Sequence, residues 1–272
     1  MIKQAIIPLA GLGTRMLPLT SVIPKELLPI NGKTNLDYIL EECIEAGIKE
    51  FVFVISKKKI SIKKYFYNDA FYKKIIRKKK DTRIIQEYKR IKKYKRMIKF
   101  VYQNSPKGTG DAIIKCKNLI KSNFFLMLLP DDLIINKNCS KELINLHNKK
   151  KGSVIATKRV DNQSVSRWGI LSVKNRKKNY FQIDDVVEKP SIKKAPSNFA
   201  IIGRYILPTK IFEEIKKIKP GQGGEIHITD AIRNLIIKKN KFYGNIFKGK
   251  YLDCGTMKGY INSCKEILKE KK

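Results

Sequence analysis

The apolar residues of the first half fall in short runs closed by turn residues. Residues 3–9 (KQAIIPL) form such a run before Gly11, the pattern of a strand buried on both sides. Residues 51–55, 98–102 and 124–129 repeat it, the last being the most hydrophobic. Helical spacing of apolar positions appears between them. It covers residues 36–46, closed by Gly47 as a C-cap, then 60–67 and 70–94, both very basic, and 111–119. Strands alternating with helices predict an α/β fold, a doubly wound, mostly parallel sheet with helices on both faces. The second half changes character. Strands are predicted in quick succession at 154–157, 169–173, 181–187 and 199–206, then helices at 212–218, 228–238 and 256–268. Neither an internal repeat nor a disordered linker divides the chain. The expectation is one domain over residues 1–272 that carries a β-rich part.

Charge changes this picture less than its size suggests. The net charge is +35, but the lysines are spread along the whole chain and accompany abundant Ile and Asn. A codon bias toward A and T would produce that drift at surface positions. The densest stretch, residues 73–99, has Tyr72, Tyr88 and Tyr94 with it, as a basic hairpin touching RNA would. Charge runs are more often solvated faces, so a nucleic-acid partner is disfavoured. The positive field would still attract an anionic substrate. No window approaches the roughly 18 apolar residues that span a bilayer, and the start lacks the long apolar stretch of a secretory signal. Five scattered cysteines, no Cys-x-x-Cys and two histidines make a zinc site improbable and fit free thiols in a reducing compartment. A soluble, cytoplasmic protein without a membrane partner is expected.

In a doubly wound sheet, ligands sit beyond the carboxyl ends of the strands. Three places therefore matter: after Leu9, after Tyr102 and after Leu129. Ala10-Gly11-Leu12-Gly13-Thr14-Arg15 follows the first. Glycines let backbone amides approach phosphate oxygens, and Arg15 adds a fork of donors. An ordinary strand-to-loop turn fits the same residues. No Gly-Lys-Ser/Thr follows, and the third glycine of a dinucleotide fingerprint is missing. Lys25 stands between Pro24 and Pro29 on a stiff segment, which suits a cation that must meet a phosphate already ordered. Asp131 directly follows the strongest strand, where a carboxylate suits a hard cation such as Mg²⁺.

AGLGTRMLPLT followed by IPKELLPI resembles the opening of the nucleotide-sugar pyrophosphorylases. The likeness continues in order through Gln103 with PKGTGDAI, LLPDDLI, WGIL, VVEKP, FAIIGRYIL, GGEIHITDAI and YLDCGTMKGY, over nearly the full length. The resemblance implies a Rossmann-like nucleotidyltransferase fold, with a nucleotide-binding half at 1–135 and a sugar-phosphate-binding half at 136–272. It implies transfer of the uridylyl group of UTP to glucose 1-phosphate, with Mg²⁺ as cofactor, by a homo-oligomer. Gly11, Gly13, Thr14 and Arg15 would hold the triphosphate, and Lys25 would meet the α-phosphate. Gln103 and Gly108 would meet the base, with the Gln103 amide donating and accepting at once. Asp131 and Asp253 would hold the metal. Asp253 also reads as an N-cap for the helix starting near Thr256. Gly169, Glu188 and Glu225 would meet the sugar, and Lys189 its phosphate. Two positions depart from the family pattern: His227 replaces an uncharged amide, and Thr34 replaces a proline in what reads as a loop. A non-catalytic regulatory relative and a basic RNA-binding protein are the rival readings. The first would have lost Thr14-Arg15, Lys25 or Asp253, all of which are present.

Overall fold

The computed structural model describes residues 2–221 and 224–270. The chain opens with β1 (Gln4–Pro8), a small hairpin of β2 (Pro29–Ile30) and β3 (Lys33–Thr34), α1 (Asn35–Glu45) and β4 (Glu50–Ile55). Three basic helices follow, α2 (Ile60–Tyr67), α3 (Asp69–Lys79) and α4 (Thr82–Met97), then β5 (Ile98–Tyr102), α5 (Gly108–Ile114), β6 (Phe124–Leu128), β7 (Asp132–Ile135) and α6 (Cys139–Lys150). The second half holds β8 (Ser153–Arg159), β9 (Gly169–Lys174), β10 (Tyr180–Glu188), β11 (Phe199–Pro208), α7 (Ile211–Ile215), α8 (Ile228–Ile237), β12 (Phe242–Ile246), β13 (Lys250–Asp253) and α9 (Met257–Lys269).

Nine strands form one sheet in the order β5-β4-β1-β6-β11-β8-β12-β10-β9. β5, β4, β1 and β6 are mutually parallel, β8 and β12 are parallel, and the other neighbours are antiparallel. Followed across the sheet, these relations leave seven strands pointing one way, with only β11 and β10 against them. Successive residues of a strand face opposite sides. Ala5 and Ile7 therefore enter a core beneath α1, α2, α4, α6 and α9, while Ile6 enters a second core beneath α5, α7 and α8. β11 is buried at every position, and its sequence is apolar except for Arg204.

Several elements depart from the sequence expectation. β7, α6, β12 and β13 were not foreseen. α5 ends at Ile114 rather than near 119, and a separate 3-10 turn covers Lys117–Leu119. The basic stretch is two helices, broken where Lys80 adopts φ 48° and Asp81 caps α4. α3 buries no residue. α4 is fixed through Ile91, Tyr94 and an ion pair of 2.8 Å from Arg90 to the buried Asp37. Thr34 is not loop filler. Its hydroxyl accepts from the Asp37 amide and the Asp37 carboxylate accepts from the Thr34 amide, a capping box that starts α1.

Candidate active site

The parallel strands β1, β5 and β6 end on one side of the sheet, and a cleft of about 630 Å³ opens there. The loop after β1 forms its floor. Gly13 adopts φ +70°, and a methyl group on it would lie 3.1 Å from Thr20, whose hydroxyl donates to the Gly13 carbonyl at 2.8 Å. A residue with a side chain would be strained there. The fold leaves the amides of Ala10, Gly11, Leu12 and Gly13 without an acceptor among the described residues. Four unsatisfied donors on a glycine loop make a concave site for an anion. Thr14 and Arg15 follow in a 3-10 turn on the same wall, and the Arg15 side chain is 59% exposed.

Opposite this loop lies the segment after β6, whose carbonyls are held one by one. The Leu129 carbonyl accepts from Arg204 at 3.1 Å, that of Pro130 from the Asn35 amide at 2.8 Å, and that of Asp131 from the Cys254 amide at 2.7 Å. Arg204 is completely buried and forks onto Glu42, with bonds of 2.8–3.2 Å. The Asp131 side chain, thus positioned, receives Lys25 at 2.7 Å and Arg15 at 3.3 Å. Lys25 stands in a 3-10 turn, and the next residue, Glu26, is locked by Lys59 through two buried bonds of 2.7 and 2.8 Å. Burial alone would lower the Lys25 pKa, but the Asp131 and Glu26 carboxylates together outweigh it and leave the pKa raised. Burial alone would raise that of Asp131, and Lys25 and then Arg15 bring it below the usual range. Asp132 points the other way and takes the Tyr251 hydroxyl at 2.6 Å and the Gly203 amide at 3.1 Å. Burial and the neighbouring Asp131 push it up to about 6.

β13 pairs with β7, which sets Asp253 opposite Asp132. A methyl group at Gly255 would lie 2.8 Å from Asp131 Oδ2 and 3.1 Å from Asp253 Oδ1, so the two carboxylates converge on this one glycine. Asp253 accepts from the Gly255 amide at 2.8 Å, whereas Thr256 caps α9. Asp253 is therefore not the N-cap of that helix. No group of three or more His, Cys, Asp or Glu able to hold a metal occurs among the described residues. Two converging carboxylates in an open cleft suit an ion that keeps several waters and takes its remaining oxygens from a substrate. They do not make a closed zinc site.

Gln103 follows β5 and is 4% exposed. Gly108 adopts φ +90°, and a methyl group on it would lie 2.6 Å from the Ile226 carbonyl. The Gly110 amide donates to that carbonyl at 2.8 Å and the Ile226 amide donates to Lys107 at 2.9 Å, which ties the loop after β5 to the segment bearing Glu225. Gly169 pairs with Glu188 across β9 and β10. The Glu188 carboxylate accepts from the Thr229 hydroxyl at 3.0 Å. Lys189, with φ 44° and a side chain 56% exposed, lies 3.9 Å from Glu188.

Residues 4–270 match the nucleotidyl transferase family. The chain belongs to the nucleotidyl transferase family. It is 36% identical over 263 residues to a UTP–glucose-1-phosphate uridylyltransferase of Staphylococcus saprophyticus, covering 96% of this chain and 91% of that protein. It is 34% identical over 272 residues to the enzyme of that name from Bacillus subtilis, covering 100% and 92%. Its fold superposes on a crystal structure of UDP-glucose pyrophosphorylase complexed with UDP-glucose at a TM-score of 0.87 and 36% identity, covering 99% of this chain and 100% of that one.

The resemblance seen in the ordered motifs is thus matched over the whole length of this nucleotidyl transferase. The cleft gathers Gly11, Gly13, Thr14, Arg15, Lys25, Gln103, Gly108, Asp131, Gly169, Glu188, Lys189, Glu225 and Asp253. The sequence reading did not single out Tyr251, Glu26, Asn35, Arg204 or the side-chain partner of Gln103. All but Asn35 lie inside the ordered motifs, Glu26 within the Pro24–Pro29 block, but nothing in those blocks shows which partners they take. No helix among the described residues is long and apolar enough to cross a membrane, and all five cysteines are free.

Proposed function

We propose that this chain transfers the uridylyl group of UTP to glucose 1-phosphate, releasing pyrophosphate, and that it works in the cytoplasm, where its free thiols would stay reduced. The observation that carries the reading is the convergence of Arg15, Lys25 and two carboxylates on the rim facing four unsatisfied backbone amides. The relatives carry this activity in their names, and the cleft has the groups it needs. Asp131 and Asp253 would hold Mg²⁺, which would supply charge neutralisation to the substrate phosphates.

The free amides from Ala10 to Gly13 receive the departing phosphates, and Thr14 and Arg15 flank them. Lys25, kept charged by Asp131, turns its ammonium to the α-phosphate, where charge builds in the transition state. Lys189 neutralises the incoming phosphate, and Glu188 and Glu225 accept from glucose hydroxyls. A phosphate oxygen of glucose 1-phosphate then forms the new bond to the α-phosphorus, and the bond from that phosphorus to pyrophosphate breaks. The nucleophile is already an anion, so no side chain must take a proton. Catalysis is positioning with charge neutralisation.

The test is pyrophosphate release with UTP, dTTP, CTP and ATP crossed against glucose and galactose 1-phosphates. UTP with glucose 1-phosphate is expected to give the highest kcat/KM, and EDTA is expected to abolish turnover until Mg²⁺ is restored. Release with no uridine preference, or full turnover in EDTA, would refute the reading.

A further inference from the structure

Gln103 is expected to read the base, but its own hydrogen bonds limit what it can say. Both hydrogens of its amide are committed. Nε2 donates to the Gly108 carbonyl at 3.1 Å and to Asp111 Oδ2 at 2.8 Å. The Asp111 carboxylate and the Gly108 carbonyl can only accept, so together they decide which end of the amide turns toward them, with the charged Asp111 as the nearer partner. Oε1 makes no hydrogen bond with any described residue and is the one free polar atom that the side chain brings to the cleft. The amide that reads from sequence as donor and acceptor is, in the folded chain, an acceptor alone.

We propose that Asp111 sets the base specificity of the site by holding Gln103 with its oxygen outward. The inference rests on the uridylyl-transfer reading and deepens it. A pyrimidine carrying N–H at ring position 3, as uracil does, donates to that oxygen. A pyrimidine with a lone pair there, as cytosine has, meets the same oxygen as repulsion and leaves it unpaired. Rejection of this kind is strong because the site's polar group is left without a partner. Asp111 does not touch the base and is a positioning residue. It stands in the first turn of α5, and Lys115, just past the end of that helix, lies 3.4 Å from its other oxygen. The loop does not depend on its side chain, since the backbone bonds between Lys107, Gly110 and Ile226 hold it.

The experiment compares kcat and KM for UTP and CTP in the wild type, Asp111→Ala and Asp111→Asn. Without the carboxylate only the Gly108 carbonyl still holds the NH₂, so Gln103 turns it outward more readily and accepts cytosine. The UTP-to-CTP ratio of kcat/KM is expected to fall at least about tenfold in Asp111→Ala, the scale of one hydrogen bond to a charged group. The loss is expected in KM for UTP with kcat nearly unchanged, because the base lies away from the reacting phosphorus. Asp111→Asn, whose amide can present either end, is expected to fall in between, and it serves alone if the alanine variant does not fold. An unchanged ratio in a folded variant, or equal loss of kcat with both nucleotides, overturns the inference. A wild type that does not prefer UTP overturns the uridylyl-transfer reading itself.

Discussion

Asp131 and Lys189 line the same cleft in different surroundings. Every carbonyl from Leu129 to Asp131 has a donor supplied from a distant part of the chain, and the Asp131 carboxylate is already bonded to Lys25. The Lys25 side chain is 12% exposed and sits beside the buried Glu26–Lys59 pair. Across the cleft, Lys189 projects from a single strained residue, is mostly in water, and approaches Glu188 at 3.9 Å, the range of a weak surface pair. Glu225 is exposed as well. The rim of Asp131 and Lys25, which the proposed reaction sets against the α-phosphorus, is ordered before any substrate arrives. The rim of Lys189 and Glu225, the sugar rim of that proposal, has ordering still to do, and that cost falls on substrate binding. Groups fixed in advance contribute to the chemical step, whereas groups that order on binding contribute mainly to affinity.

The widest gap is expected between kcat effects on the two rims. Lys25→Ala should lower kcat by about 10²–10³ with a small change in KM, the cost of losing one fixed donor to transition-state charge. Circular dichroism and melting should show a folded protein. A fully active variant would remove Lys25 from the chemistry and erase the contrast. Lys189→Ala should act differently, raising KM for glucose 1-phosphate about tenfold while kcat changes little. Rising salt should raise the wild-type KM for glucose 1-phosphate and leave the variant's less affected, because an exposed charge is screened. If Lys189→Ala instead cut kcat as deeply as Lys25→Ala, both rims would be equally preorganised and the comparison would fail.

The stiff rim was legible only in part. Gly11, Gly13, Arg15 and Lys25 stand in compact blocks beside a strand, so their chemistry and their edge of the sheet follow from neighbouring residues. Asp131 was legible for the same reason, at the end of the most apolar run. What holds Asp131 was not legible. Arg204 is one charge inside a strand that is otherwise apolar, and its partner Glu42 is 162 positions away. Asn35 reaches Pro130 across 95 positions. Such pairs leave no periodicity in a single sequence. β13 was missed because only Leu252 among its four residues is buried, too little to form a pattern. With β13 went the pairing that brings Asp253 opposite Asp132. α6 was hidden by its polar residues, although Asn138 caps it and Cys139, Leu143, Ile144 and Leu146 bury one face. The sugar rim carried the weaker signal throughout, as Glu188-Lys189 alone reads as an exposed ion pair.

The smallest effect is expected at the one fixed point of the sugar rim. Thr229 is 4% exposed, and its hydroxyl donates to Glu188 Oε2 at 3.0 Å. Its methyl group faces Gly169, where an added methyl would lie 3.2 Å from both Thr229 and Glu188, so the three residues form a close-packed corner. Thr229→Val keeps that packing and removes only the donor. Glu188 then loses one hydrogen bond, worth about 1 kcal/mol, and regains rotamers that it must surrender when glucose binds. KM for glucose 1-phosphate should rise about fivefold, the same energy expressed as a ratio, with kcat, KM for UTP and melting temperature nearly unchanged. An unaltered KM for glucose 1-phosphate would mean that Thr229 does not orient Glu188. A fall in kcat comparable to that of Lys25→Ala would mean that this corner is set before binding, and that the sugar rim is as rigid as the one facing it.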